Sequence, residues 1–427
     1  MYPMKPRNAT ARTSLVLTAV LRVLIVCAVG AGCSTGRAAD AGGAEPPTDP
    51  HDARWWLAHA EHNLIAVKDT KVRDSLTQRM IVALGDQGDW ANARTYAAQL
   101  SERQRAVGYL LLVRAAARRG DARTAEDFAM EIPDGAYRER AWKTMALMLV
   151  AAGDLDRPRR ILDRLGTATN KDAVLAAIAK AQAALRGNTQ EALKTLDGVA
   201  SQEVREAAAR EIKALVANPP GHSPAPPVVF SNPLSAQLDL TLMLVGKGAW
   251  GDPLAEANAL REAGRIPEAI KALEQLETAV HKMDYGCERA TAMVCLALAE
   301  WQTGRLDMAR TLLREVRKDM QNATQPAVNI YLGRLARPAL VTSLVMVGET
   351  RDAMSLAEAD VAEGTAGMNA LSSVAIALAA CGRWSELHAW VASLPKPEYR
   401  AYVCLGACEW QAYVERQSVA ASQPRGK

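Results

Sequence analysis

Apolar residues return along this chain at every third or fourth position, in short runs broken at regular places. Between residues 136 and 165 the pattern is clearest. Ala141, Met145, Met148, Leu149 and Ala152 share helical spacing and predict one apolar face. Gly153 interrupts the run, and Asp154 follows as a candidate N-cap. Leu155, Ile161, Leu162 and Leu165 then form the stripe of a second helix. Neither stripe is buried by its own helix, so the pattern predicts antiparallel pairs that stack on neighbouring pairs.

The interruption recurs at Gly88, Gly120, Gly153 and Gly187, spaced 32, 33 and 34 residues apart, and again at Gly264, Gly304, Gly348 and Gly382. Each follows an alanine-rich apolar stretch. Asp, Arg or Asn follows seven of them, and Glu follows Gly348. Five residues past the glycine stand Ala93, Ala125, Ala192, Ala269, Ala309 and Ala353, with Pro158 and Leu387 at the other two turns. A fixed period of this size is the signature of a helical solenoid. The turn itself needs a left-handed residue, which glycine supplies without steric cost. Gly120 and Gly153 are therefore expected at φ > 0.

The segments GDWANA (88–93), GDARTA (120–125), GRIPEA (264–269) and GRLDMA (304–309) place Gly-[Asp/Arg]-x-x-x-Ala between two amphipathic helices. This arrangement resembles the tetratricopeptide repeat over roughly residues 55 to 413. Trp90 and Trp384 sit where that family often has an aromatic. Where the family has a late alanine, this sequence has Leu100, Ile132, Leu165, Val199, Leu276 and Leu394. The resemblance implies an all-α fold, a right-handed superhelix of antiparallel helix pairs, with the first helix of each pair lining a concave face. Gln78, Arg114, Arg118, Arg140 and Lys143 would then project into that face. Several cations on adjacent repeats would attract an acidic peptide or the terminal carboxylate of a partner protein.

The amino-terminal region reads differently. Lys5, Arg7 and Arg12 precede an apolar run from Ser14 to Gly32, which ends Val-Gly-Ala-Gly-Cys-Ser at 29–34. Small residues before a cysteine resemble the lipobox of bacterial lipoproteins, which implies a signal peptide over 1–32 and lipid on Cys33. Ser34 implies sorting to the outer membrane. Arg22 interrupts the run, and the ten apolar or small residues that remain from Val23 are too few to span a bilayer. The formal charge of +4 is also explained here. Lys5, Arg7, Arg12 and Arg22 are the basic residues of 1–32, which has no acid. The remainder carries equal numbers of basic and acidic residues. The basic balance is thus no argument for nucleic-acid binding.

Composition divides the rest. Residues 33–50 are small, polar and Pro/Gly-rich and read as a disordered tether. A first block of pairs is expected over 51–217, opening with a helix whose Trp55 and Trp56 cap its core. Residues 218–233 are proline-rich and read as a linker. A second block is expected over 234–415, with pairs at 252–280, 287–320, 327–362 and 367–394 and a capping helix at 398–415. Residues 416–427 are polar and expected to be disordered.

No constellation for chemistry stands out. Gly246-Lys247-Gly248-Ala249-Trp250-Gly251 matches G-x-G-x-x-G, but the strand–helix–strand alternation of a dinucleotide site is missing. His59 and His62 share a helical face without an H-E-x-x-H motif. The cysteines form no C-x-x-C pair. In an oxidising compartment Cys381 has Cys404 or Cys408 as a possible disulfide partner. These readings converge on a non-catalytic scaffold for a protein or peptide, without cofactor, metal or nucleic acid, lipid-anchored in the cell envelope. The alternative is an exported all-α enzyme, an α/α-toroid hydrolase acting on cell-wall material.

Overall fold

The computed structural model describes residues 52–217, 250–284, 286–322, 337–361 and 365–422. Residues 1–32, read above as a signal peptide, the expected tether at 33–50 with Cys33, the expected linker at 218–233 and residues 246–249 of the glycine loop lie outside them. Every regular element among the described residues is helical, and the fold is all-α and solenoid-like. The protein forms two compact units, one within Val67–Phe230 and one joining Met1–Ala66 to Ser231–Lys427.

The turn chemistry explains the pairing. All eight repeat glycines have positive φ, from 62° at Gly187 to 88° at Gly348. That conformation turns the backbone back on itself, and the following residue donates its N–H into the last turn of the helix just ended. Asp121 N reaches Ala116 O at 3.0 Å and Arg305 N reaches Glu300 O at 2.9 Å. Five residues past each glycine the side chain is buried: Ala93, Ala125, Pro158, Ala192, Ala269, Ala309, Ala353 and Leu387. Small residues dominate there because the two helices of a pair cross at close range.

The larger late residues have their own role. Leu100, Ile132, Leu165, Val199, Leu276 and Leu394 are all buried. Leu100, Ile132, Leu165 and Leu394 adopt extended backbone, ending the second helix of the pair. An arginine six residues on then donates to the freed carbonyl: Arg138 to Ile132 at 2.8 Å, Arg205 to Val199 and Arg400 to Leu394 at 2.8 Å. A helix end that leaves carbonyls unpaired is thus satisfied by the next repeat.

Helix α1 (Ala53–Ile65) comes first in sequence. In the unit within Val67–Phe230 the first helices of successive pairs are α2 (Thr70–Gln87), α4 (Glu102–Arg118), α6 (Gly135–Ala151), α8 (Ala168–Arg186) and α10 (Gln202–Ala217). They pack on one another in sequence order. Their partners are α3 (Trp90–Gln99), α5 (Ala122–Glu131), α7 (Asp156–Ile161) and α9 (Thr189–Leu196). In the other unit the first helices are α11 (Gly251–Glu262), α13 (Cys287–Gln302), α15 (Arg337–Met346), α17 (Thr365–Ala380) and α19 (Pro397–Ser422). Their partners are α12 (Ile266–His281), α14 (Leu306–Asn322), α16 (Thr350–Val361) and α18 (Trp384–Ser393).

Two expected boundaries are corrected. Helix α1 does not cap the block that follows it; it packs on α19, near the other end of the sequence. The reason is aromatic. Trp56 is fully buried and stacks on His388 at 4.7 Å, with Trp384 at 6.1 Å. Trp55 meets His388 edge-on, and the Glu415 carboxylate accepts the Ala53 N–H. The tail expected to be disordered from residue 416 is helical through Ser422. Arg416, Gln417 and the alanines that follow favour continuation, and no proline or glycine stops it before Pro424.

Candidate functional site

The five residues expected on one face lie on three consecutive first helices: Gln78 on α2, Arg114 and Arg118 on α4, Arg140 and Lys143 on α6. Arg114 and Arg118 are four residues apart and so share a face of α4. Arg140 reaches the same neighbourhood from α6. Arg114 is exposed, yet enough protein surrounds its guanidinium to desolvate it partly. That desolvation, then the positive charges of Arg118 and Arg140, lower its pKa below the ordinary arginine value. An arginine so placed remains charged at neutral pH. Among the described residues no carboxylate pairs with Arg114, Arg140 or Lys143.

Two of the five are otherwise engaged. Gln78 donates through Nε2 to Gln104 Oε1 at 2.9 Å, joining α2 to α4. Arg118 is half-buried and pairs with Asp86 at 2.7 Å. Asp86 is an addition to the expected set, though the repeat contains the signal. Asp86 stands two residues before Gly88 and Arg118 two before Gly120, so equal register places them side by side. The free positive charge is therefore carried by Arg114, Arg140 and Lys143.

First helices of this unit also carry acids that serve the next repeat. Asp74 accepts Ser101 Oγ at 2.7 Å. Glu139 accepts the Thr167 N–H at 2.8 Å, Thr167 Oγ1 at 2.7 Å and Asn170 Nδ2 at 2.8 Å. The Asn170 and Thr167 hydrogen bonds hold its carboxyl down to about 2. Asp172 accepts the N–H groups of Ala200 and Ser201 at 2.8 and 2.9 Å. These acids are consumed at the start of the next repeat; Glu139 adjoins Arg140 in sequence, yet its carboxylate accepts from Thr167 and Asn170. That engagement leaves a cationic strip in a unit that also holds many acids.

Elsewhere the side chains offer less. Cys295, Cys381, Cys404 and Cys408 are thiols outside any disulfide. Burial pushes Cys295 and Cys404 up to about 12, which keeps both as thiols and removes them as nucleophiles at neutral pH. His59 is exposed and stacks on Trp55 at 3.7 Å. Among the described residues no group of three or more His, Cys, Asp or Glu converges to hold a metal ion. No helix among them is long and apolar enough to cross a membrane.

No family model matches the sequence, and no curated protein matches it. A solved structure, that of Ton1535 from Thermococcus onnurineus NA1, aligns over 82% of this protein and 95% of its own length at 17% identity. Its TM-score of 0.23 is too low to bear on fold or function.

Proposed function

We propose that the protein is a tetratricopeptide-like scaffold that holds an acidic segment of a protein partner on the strip formed by Arg114, Arg140 and Lys143. It performs no catalysis of its own and uses no cofactor. Lipid on Cys33 anchors it in the cell envelope, at the outer membrane facing the periplasm. The observation that carries this reading is the set of neighbouring cations on α4 and α6 with no ion-pair partner among the described residues, where acids close by are spent on helix ends. A fixed array of guanidinium groups suits carboxylates, which they take in paired hydrogen bonds.

The test is capture from crosslinked envelopes with the full-length protein as bait. One exposed ion pair is worth roughly 0–1 kcal/mol, so single alanine changes are expected to be silent. Reversing Arg114 and Arg140 together to Glu is expected to abolish capture while leaving helicity by circular dichroism unchanged. Raising salt is expected to weaken capture by the wild type, because exposed charges are screened. A partner indifferent to both the reversal and the salt contradicts the strip as its site. For the anchor, Cys33→Ala is expected to move the protein from the membrane fraction to the soluble periplasmic fraction. Retention in the membrane contradicts lipidation.

A further inference from the structure

The turn glycines provide an internal ruler. At seven turns the residue after the glycine donates its N–H to the carbonyl of the residue four before the glycine. Those acceptors are Leu84, Ala116, Leu149, Leu260, Leu344, Leu378 and Glu300. All but Glu300 are apolar. Leu84, Ala116, Leu149, Leu344 and Leu378 are buried and Leu260 is half-buried. Glu300, on α13, therefore puts a carboxyl where every other such turn places an apolar side chain. Its side chain is 0% exposed.

Apart from one guanidinium, that setting does not suit a carboxylate. Both oxygens are buried, and neither has a hydrogen-bond partner. Arg305 Nε, from the turn into α14, stands 3.3 Å from Oε2 without hydrogen-bonding geometry. The same guanidinium donates instead to Glu274 Oε1 at 3.2 Å. From α12, Glu274 and Glu277 add further negative charge. Beside burial, the charges that act on Glu300 are those of Arg305, Glu277 and Glu274. A protonated acid is tolerated there as a neutral group, whereas an ion without donors is not.

We infer that Glu300 is a proton-operated lock: α12 and α13 pack tightly while its carboxyl is protonated and loosen when it ionises. Burial, only partly opposed by Arg305 and reinforced by Glu277 and Glu274, pushes this carboxyl up to about 7. The sign follows from that direction. The folded state binds the proton more tightly than the unfolded state does. Stability is full below the ordinary glutamate range, falls as pH rises toward about 7, and is level above it. The lock thus releases across the neutral range, where ordinary carboxylates no longer titrate.

Hydrogen exchange of the full-length protein tests this, with rates normalised to the intrinsic rate at each pH. For residues 266–281 and 287–302 of the wild type, protection is expected to fall about tenfold or more between roughly pH 5 and 8. Glu300→Gln keeps the shape and removes the titration, so its protection is expected to stay level with pH. Glu300→Leu restores the apolar residue of the other repeats and is expected to give protection that is both level and higher than wild type. Residues 102–118 serve as the internal control. A wild type whose α13 protection is independent of pH overturns the inference, as does a Glu300→Gln or Glu300→Leu protein that retains the wild-type fall.

Discussion

The two units share one glycine turn but close it with different chemistry. In the unit within Val67–Phe230, Asp89, Asp121 and Asn188 follow their glycines and accept backbone N–H groups from Asn92, Thr124 and Glu191. In the other unit Arg265 and Arg383 stand at that position and provide no side-chain cap. An arginine has donors only, so it cannot accept from the helix. It reaches forward instead: Arg265 pairs with Glu268 at 3.0 Å and Arg383 with Glu386 at 2.7 Å, each three residues on. The Glu268 carboxylate in turn accepts its own backbone N–H, which with Arg265 lowers its pKa. The backbone geometry thus belongs to glycine, while the residue beside it is free to vary so long as some acceptor serves the helix start.

The largest contrast concerns close helix crossings. A Cβ at Gly406 on α19 would come within 2.6 Å of the backbone oxygen of Ser372, an atom that cannot step aside. A Cβ at Gly108 on α4 would come equally near Leu100 Cδ1, the far end of a flexible side chain. Gly406→Ala is expected to cost about 2–3 kcal/mol in urea melts, the range for overpacking against a fixed neighbour. Gly108→Ala is expected to lie within about 1 kcal/mol of wild type, since helix propensity offsets the repacking. Equal losses at the two sites would show that the crossing of α17 and α19 is no tighter than that of α3 and α4.

The capping contrast is smaller. Asp121→Ala removes an acceptor from the Thr124 N–H and is expected to lower stability by about 1 kcal/mol. Arg265→Ala is expected to change it by no more than a few tenths, because an exposed ion pair is all that is lost. Arg265→Asp installs the acceptor of the other unit and is expected to be the most stable of the three variants in thermal melts. If Arg265→Ala costs as much as Asp121→Ala, the arginine contributes to the turn in a way that its contacts do not display.

Much of this architecture is legible in the residues. Gly153 ends α6 at positive φ, and the alanines five residues past the glycines are buried because the period alone puts them at the helix crossing. Arg114, Arg118 and Arg140 are expected together, and the charges of Arg118 and Arg140 do act on Arg114. What escapes is long-range or requires comparing repeats with one another. The periodicity of α1 gives it an apolar face but does not say which segment of the sequence will cover it. Asp86 and Glu300 are visible only by aligning turns. Their register sets one opposite an arginine and the other in a core position. The carbonyl-capping arginines Arg138, Arg205 and Arg400 recur at a constant offset from the late apolar residue, a pattern that reads as surface charge until the extended residue before them is known.

One repeat design has thus been given opposite proton linkage in the two units. Glu139, held down to about 2 by Asn170 and Thr167, stabilises the start of α8 as a carboxylate. Its contribution is present above the ordinary glutamate range and is lost as pH falls below it. Glu300 runs the other way. The most direct measurement is hydrogen exchange of the wild-type protein from about pH 8 down to about pH 3, following residues 168–186 and 287–302 in the same samples. The expected result is that 287–302 gains protection on the way from neutral to about pH 5 while 168–186 holds level. Below about pH 4.5, 168–186 then loses protection first. Parallel changes in the two segments across the whole range would contradict opposite linkage.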